Sequence, residues 1–306
     1  MNARTAAFAC VTAVSVAIAA PAAQQKPLVF RAGTAGVAVD VSVTDGRKAV
    51  LELTAADFEL YDNGVRQEIT NAGVEAIPFD LHLVVDTSAS LTGPMFEQFK
   101  RDVATIGGML RPQDRLRLVT FSTRGLDVFG WREGNTALPL TRIATAGATA
   151  FYQALAAVLV READAGRRQL IVAMSDGYDN VSFLDAPDVR DLARQANAVL
   201  HVVLRKQTGA PARSKGWVPY SGAGNINALR DAAEATGGRL RSVDPNESLT
   251  AAFKTALDEF RTGYVLWYTP IGVDRPGWHT INVKLKQPQK YAVRARNGYD
   301  AGGKRP

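Results

Sequence analysis

From about residue 78 to residue 260 the chain alternates short, almost wholly apolar runs with stretches of helical period, and few folds satisfy that alternation. The runs cover residues 81–85, 116–121, 170–174 and 199–204. A strand without a polar face must be covered on both sides, as parallel strands between helices are. Phe96, Phe99, Val103, Ile106 and Leu110 mark a first helix, and Tyr152, Leu155, Val158 and Leu159 a second. Leu192 with Ala196, then Leu229, Ala232 and Ala233, mark two more. The expected fold is α/β, a doubly wound, mostly parallel sheet of Rossmann-like type over residues 78–262.

The segments on either side read differently. In residues 27–77, Val37, Val39, Val41 and Val43 alternate with small or polar residues, and Asn63-Gly64 separates two strand-like runs, a strong hairpin signal. In residues 263–306, three strands are expected at 264–268, 280–285 and 291–295. Neither flank is long enough to be comfortable alone. The expectation is one small β-sandwich-like domain built from both, with the α/β domain inserted between them. Residues 206–224, rich in Gly, Pro and Ser, read as a long surface loop.

Residues 1–24 read as a cleaved signal peptide: Arg4, then an uncharged Ala- and Val-rich stretch, then small residues around Ala20-Pro21-Ala22. An uncleaved anchor is the competing reading, for which the stretch is short and Ala-rich. An exported protein, periplasmic or secreted, is therefore expected, with no transmembrane segment in the mature chain. The single cysteine, Cys10, lies inside the leader, so cysteine chemistry and disulfides are excluded from the mature chain. Net charge is +6, or +5 once Arg4 is removed, with the basic residues scattered. No aromatic-basic patch of the kind that binds nucleic acid is present, so no such partner is expected.

Chemistry concentrates where the apolar runs end, which in an open α/β sheet is where ligands bind. Asp86-Thr87-Ser88-Ala89-Ser90 follows the first run and sets a carboxylate and two hydroxyls at i, i+2 and i+4. Extended backbone projects all three to one side. Gly147-Ala148-Thr149 precedes the second helix, and Met174-Ser175-Asp176-Gly177 closes the third run. Each has a plainer reading: Ser88 and Ser90 as turn or capping residues, Thr149 as a helix N-cap, Asp176-Gly177 as a turn pair. Together at matching strand ends they form a set of hard oxygen donors, suited to Mg²⁺ or Mn²⁺.

This pattern, Asp86-x-Ser88-x-Ser90 with Thr149 and Asp176, resembles the metal-ion-dependent adhesion site of the von Willebrand factor A (VWA) domain. Residues 58–70 and the closing Arg294-x-Arg296-Asn297-Gly298-Tyr299 resemble a bacterial VWA-related group of exported proteins with β flanks. The resemblance implies that Ser88, Ser90 and, in one state, Thr149 touch the cation, while Asp86 and Asp176 act largely through water. Neutral hydroxyl ligands leave such an ion under-neutralised, and a partner protein's Asp or Glu carboxylate fills its open position. Leu91-Thr92-Gly93-Pro94-Met95 departs from family members that carry further acidic residues there. Residues 248–260 correspond to the C-terminal helix that moves in members that switch shape.

Asp179 and Asn180 read as a solvated loop, and Ser122 and Thr123 as residues lining the face of the site. His82, His201 and His279 read as structural. A phosphoryl-transfer enzyme would want a second acid where Ser88 stands, and a serine hydrolase an oriented His–acid pair. There is no nucleophile elbow and no phosphate-cradling glycine loop. The expected function is a non-catalytic, metal-dependent protein-binding module. A hydrolase and an envelope protein with a purely stabilising metal are the alternatives.

Overall fold

The computed structural model describes residues 36–302, except 75–76, 90–92, 124, 135, 137, 139, 162–163, 177–178, 207–222, 245–246, 274–275 and 288–289. The expected signal peptide, Cys10, Ser90 and nearly all of the expected 206–224 loop lie outside the described residues.

The first flank holds β1 (Val37–Asp45), β2 (Lys48–Ala49), β3 (Phe58–Asp62), β4 (Val65–Gln67) and β5 (Ile69–Gly73). The middle of the chain runs β6 (Phe79–Asp86), α1 (Pro94–Gly108), β7 (Arg115–Ser122), β8 (Gly125–Val128) and β9 (Arg132–Glu133). It continues through α2 (Phe151–Leu159), β10 (Arg168–Ser175), α3 (Ala186–Gln195), β11 (Val199–Arg205), α4 (Ala223–Ala235), β12 (Arg239–Val243) and α5 (Leu249–Arg261). The last flank adds β13 (Tyr264–Tyr268), β14 (Trp278–Leu285), β15 (Ala292–Ala295) and β16 (Gly298–Asp300).

The central sheet runs in the order β12-β11-β10-β6-β7-β8. Its first five strands pair in parallel. β8 and β9 instead run antiparallel to β7, so the sheet is mixed at that edge. All eight residues of β6 are buried, because the strand faces apolar clusters on both sides. Leu81, Leu83 and Val85 pack with Phe99 and Val103 of α1 and Phe253 and Leu257 of α5. Val84 packs with Phe151 and Leu155 of α2, in a cluster that also holds Val189 of α3 and Leu229 of α4. Each such side chain gains about 1.5–3 kcal/mol from burial.

Strands of the two flanks pair with one another. β1 lies between β13 and β15, and β13 also pairs with β5. β14 pairs with β3 and β16, and β3 with β4. The β3–β4 turn is Asn63-Gly64, with φ of 46° and 81°, the left-handed conformation that this dipeptide tolerates. Val39, Val41, Val43, Phe58, Leu60 and Leu266 form the apolar layer between the two small sheets. Asp62 is fully buried in the same region and accepts hydrogen bonds from Tyr268 Oη (2.8 Å) and Tyr299 Oη (2.9 Å). Its other oxygen lies 2.7 Å from His279 Nδ1.

Polar contacts fasten the small sheets to the α/β part. Arg168 pairs with Asp40 (2.5 Å), and Glu259 of α5 pairs with both Arg239 and Arg294. Arg296 donates to Asn197 Oδ1 (2.9 Å) and to the Gly298 carbonyl (2.7 Å). These contacts give roles to the closing Arg-x-Arg-Asn-Gly-Tyr segment.

Candidate metal centre

Three loops meet at the carboxyl ends of β6 and β10. Asp86 ends β6 and is 3% exposed. Its Oδ1 accepts the Ser88 N–H (2.8 Å), and its Oδ2 accepts the Ser175 hydroxyl (2.9 Å). The second bond follows from register: β10 runs parallel to β6 with Met174 opposite Val85, which sets Ser175 beside Asp86. Asp176 is the next residue. Burial, and then the charge of Asp176, push the Asp86 carboxyl up to about 6, against the opposing hydrogen bonds from Ser88 and Ser175.

The loop before α2 closes the arrangement. The Ala89 N–H donates to the Gly147 carbonyl (2.9 Å), and the Ala146 N–H to the Thr87 carbonyl (3.0 Å). Thr149 is buried and tied to the β10 loop twice over. Its N–H donates to Asn180 Oδ1 (3.2 Å), and its carbonyl accepts the Asn180 N–H (2.9 Å). Backbone hydrogen bonds thus stitch the segment after Asp86 to the segment before α2, and that segment to the one after Asp176. These ties hold Asp86, Ser88, Thr149 and Asp176 at one end of the sheet. Ser90 lies outside the described residues.

The plainer reading of Thr149 falls away, and the expectation for Asp179 is corrected. Thr149 does not cap α2; the N-cap position is Ala150, with no side-chain cap. Asp179 does that work instead, accepting the Tyr152 N–H (2.8 Å), while the Ser182 hydroxyl accepts the Gln153 N–H (3.1 Å). Asp179 is therefore buried and bonded rather than solvated, with Ser182 N–H and Oγ also donating to it. The exposed donors of a helix start are satisfied here from across the fold, which leaves the Thr149 hydroxyl out of capping. Thr123 lines the site only indirectly: its Oγ1 accepts the Ala148 N–H (2.5 Å) and so sets the loop that carries Thr149.

Gly147 makes this loop possible. Its φ is 71°, and a Cβ there would lie 1.7 Å from Thr123 Oγ1. Gly147→Ala combines left-handed strain with a clash against a bonded hydroxyl, so it should cost about 2–3 kcal/mol. Urea denaturation measures this, and a cost below about 1 kcal/mol would show that Thr123 swings aside freely.

The donor set fits a hard divalent cation. Two carboxylates share one end of the sheet, one of them buried, and no arginine or lysine is among the groups that shift Asp86. The rest of the donors are hydroxyls, which suit Mg²⁺ or Mn²⁺. Among the described residues no three His, Cys, Asp or Glu side chains cluster as a metal site.

Residues 80–209 match the profile of the von Willebrand factor type A domain. The chain contains a VWA domain. No curated protein matches the chain. Among solved structures it is similar to the conserved hypothetical protein BatB from Bacteroides thetaiotaomicron, at 15% identity and a TM-score of 0.46, over 60% of this chain and 98% of that one. It is also similar to a von Willebrand factor type A protein from Catenulispora acidiphila, at 13% identity and a TM-score of 0.46, over 90% of this chain and 65% of that one. A third similarity is to the pilus adhesin SpaC from Lactobacillus rhamnosus GG, at 12% identity and a TM-score of 0.45, over 85% of this chain and 47% of that one. Within the VWA domain match fall β6, β7, β10 and β11, and with them Asp86, Ser88, Thr149 and Asp176. Ser175, Asp179 and Asn180 join the site as supporting residues; Ser175 was legible from its place before Asp176 in a strand parallel to β6.

Proposed function

We propose that this protein is an exported, non-catalytic binding module that captures an acidic partner protein through a divalent cation. Ser88, Thr149 and Ser90 would hold Mg²⁺ or Mn²⁺ directly, with Asp86 and Asp176 steadying it. The bound ion would supply an open position for a partner's Asp or Glu carboxylate. The observation that carries this reading is the buried Asp86, held beside Asp176 with no cationic side chain acting on it. A buried carboxylate beside a second carboxylate is costly to ionise, and a bound cation would offset that cost. The doubly wound arrangement of the α/β domain and its insertion between the flanks belong to the same reading.

The surroundings suit a protein partner. A cleft of about 410 Å³, lined by Tyr152, Asp179, Ser182 and Asp188 among others, opens next to the Asp179–Asn180 loop. Phe183 on its rim is 95% exposed, an apolar anchor in search of cover. His82 and His201 lie inside strands, and His279 is paired with Asp62. Among the described residues no helix is long and apolar enough to cross a membrane.

Calorimetry with Mg²⁺, followed by partner capture from envelope extract in Mg²⁺ and in EDTA, tests the proposal. Ser88→Ala should lose both the Mg²⁺ heat and the captured proteins. The site must be ionised to bind, so Mg²⁺ affinity should fall about tenfold per pH unit below about 6. A captured set identical in Mg²⁺ and EDTA would end the adhesion reading.

A further inference from the structure

A second charged cluster lies on the face of the central sheet that carries α2, beyond that helix's C-terminal end. Arg117 of β7 stands opposite His82 of β6. The Trp131 ring sits against both, 4.2 Å from the Arg117 guanidinium carbon and 5.0 Å from the His82 ring. Arg161 follows α2 closely enough for its charge to act on both His82 and Arg117. Arg115 also reaches the Trp131 ring, at 4.9 Å.

The acids nearby are already engaged. Asp80 receives Arg115 (2.5 Å) and Arg167 (2.5 Å), and Asp164 receives Arg115 (2.5 Å). Asp80 and Asp164 thus answer Arg115 and Arg167, and neither is paired with Arg117 or Arg161. Among the described residues Arg117 and Arg161 have no ion pair or hydrogen bond, and Arg117 Nε is fully enclosed without a partner. His82 is 2% exposed, and its Nδ1 is likewise enclosed and unpartnered. Buried donors without acceptors are costly and rare. Two unpaired forks beside an imidazole offer several N–H donors within one small region; a phosphate, with three strong acceptor oxygens and a charge of about −2, can engage more of them than a carboxylate can.

We propose that Arg117, Arg161 and His82, framed by Trp131, form a binding site for a phosphate-type oxyanion, free or as an ester. Burial, then Arg117 and Arg161, hold the His82 imidazole down to about 4, against Asp80. A bound dianion reverses the sign of the field that His82 feels. The site shares no residue with the metal centre and does not rest on the adhesion reading.

The test titrates inorganic phosphate, sulfate, glycerol phosphate and acetate at constant ionic strength, in EDTA so that the metal centre is silent. Calorimetry and the His82 ring resonances are followed together. Phosphate and sulfate should bind saturably and move the His82 signals, with acetate at least tenfold weaker. Glycerol phosphate matching phosphate would assign the site to esters; a tenfold loss would assign it to the free ion. Arg161→Gln, at an exposed position, should fold normally and weaken phosphate at least tenfold; Arg117→Gln should abolish it, and Asp86→Asn should leave it unchanged. His82 signals no more responsive to phosphate than to chloride, or an unchanged affinity in Arg161→Gln, would overturn the assignment.

Discussion

Asp62→Ala should be the most destabilising single substitution in the β layers, costing on the order of 4 kcal/mol. The carboxylate is fully buried and meets two tyrosine hydroxyls and an imidazole, all within 2.9 Å. Those partners come from different strands: Tyr268 from β13 in one small sheet, His279 from β14 and Tyr299 from β16 in the other. Asp62 itself ends β3. Its removal takes the shared acceptor from three polar groups between two sheets, of which Tyr299 Oη and His279 Nδ1 also lie 3.2 Å from each other, and a methyl group replaces none of the lost bonds. Tyr299→Phe removes a single hydroxyl, with its bond to Asp62 and its 3.2 Å contact to His279 Nδ1, and should cost about 1 kcal/mol. Urea midpoints of the two variants separate the effects. An Asp62→Ala cost no larger than that of Tyr299→Phe would show that the network relaxes instead of breaking.

Asp86→Asn should produce opposite changes in stability and in metal response. The metal-free fold holds the Asp86 carboxyl near 6, above the usual carboxylate value of 3.8. A raised folded pKa means that the native state takes up a proton more readily than the unfolded chain. Stability in EDTA therefore rises as pH falls from about 6 toward 4, and the deficit is fully present at pH 7. The shift corresponds to about 1–3 kcal/mol. A neutral amide removes that deficit, accepting from Ser88 and meeting Ser175 with its other end. At pH 7 in EDTA the variant should be more stable than wild type by that amount, and its melting temperature should no longer respond to Mg²⁺. A variant less stable than wild type in EDTA, or one that still gains stability with Mg²⁺, would count against the assignment of Asp86.

The central strands were legible because they have no polar face. Residues 81–85, for example, could only be a strand covered on both sides, and β6 is that strand with one to two residues added at its ends. The Asn63-Gly64 turn was legible because its conformation demands those residue types. β12 was not, since Arg239-Leu240-Arg241-Ser242 carries no apolar pattern; it is an edge strand whose arginines are answered by Glu259 and Glu247. The antiparallel β8 and β9 were also missed, being short and at the opposite edge. At the candidate metal centre, Asp86 ends one strand, Asp176 follows another and Thr149 precedes a helix start, and that placement is what the strand–helix alternation made legible. The misreading of Asp179 has a clear cause. Asp-Asn in a loop looks solvated until the fold sets it over the first turn of α2, and sequence spacing does not reveal that a helix takes its cap from 27 residues downstream. Asp62 was hidden in the same way, next to a turn yet facing inward.

The pairing of Gly73 with Val265 has one further consequence. Those residues are register partners in antiparallel strands, although the whole α/β module lies between them along the chain. To the small sheet, that module is one overgrown hairpin loop. Closure entropy grows only with the logarithm of length, so such a loop costs about 3 kcal/mol more to close than a four-residue turn. A pre-existing β scaffold can accept a spliced-in guest at that site for a modest penalty, with both seams of the splice lying side by side.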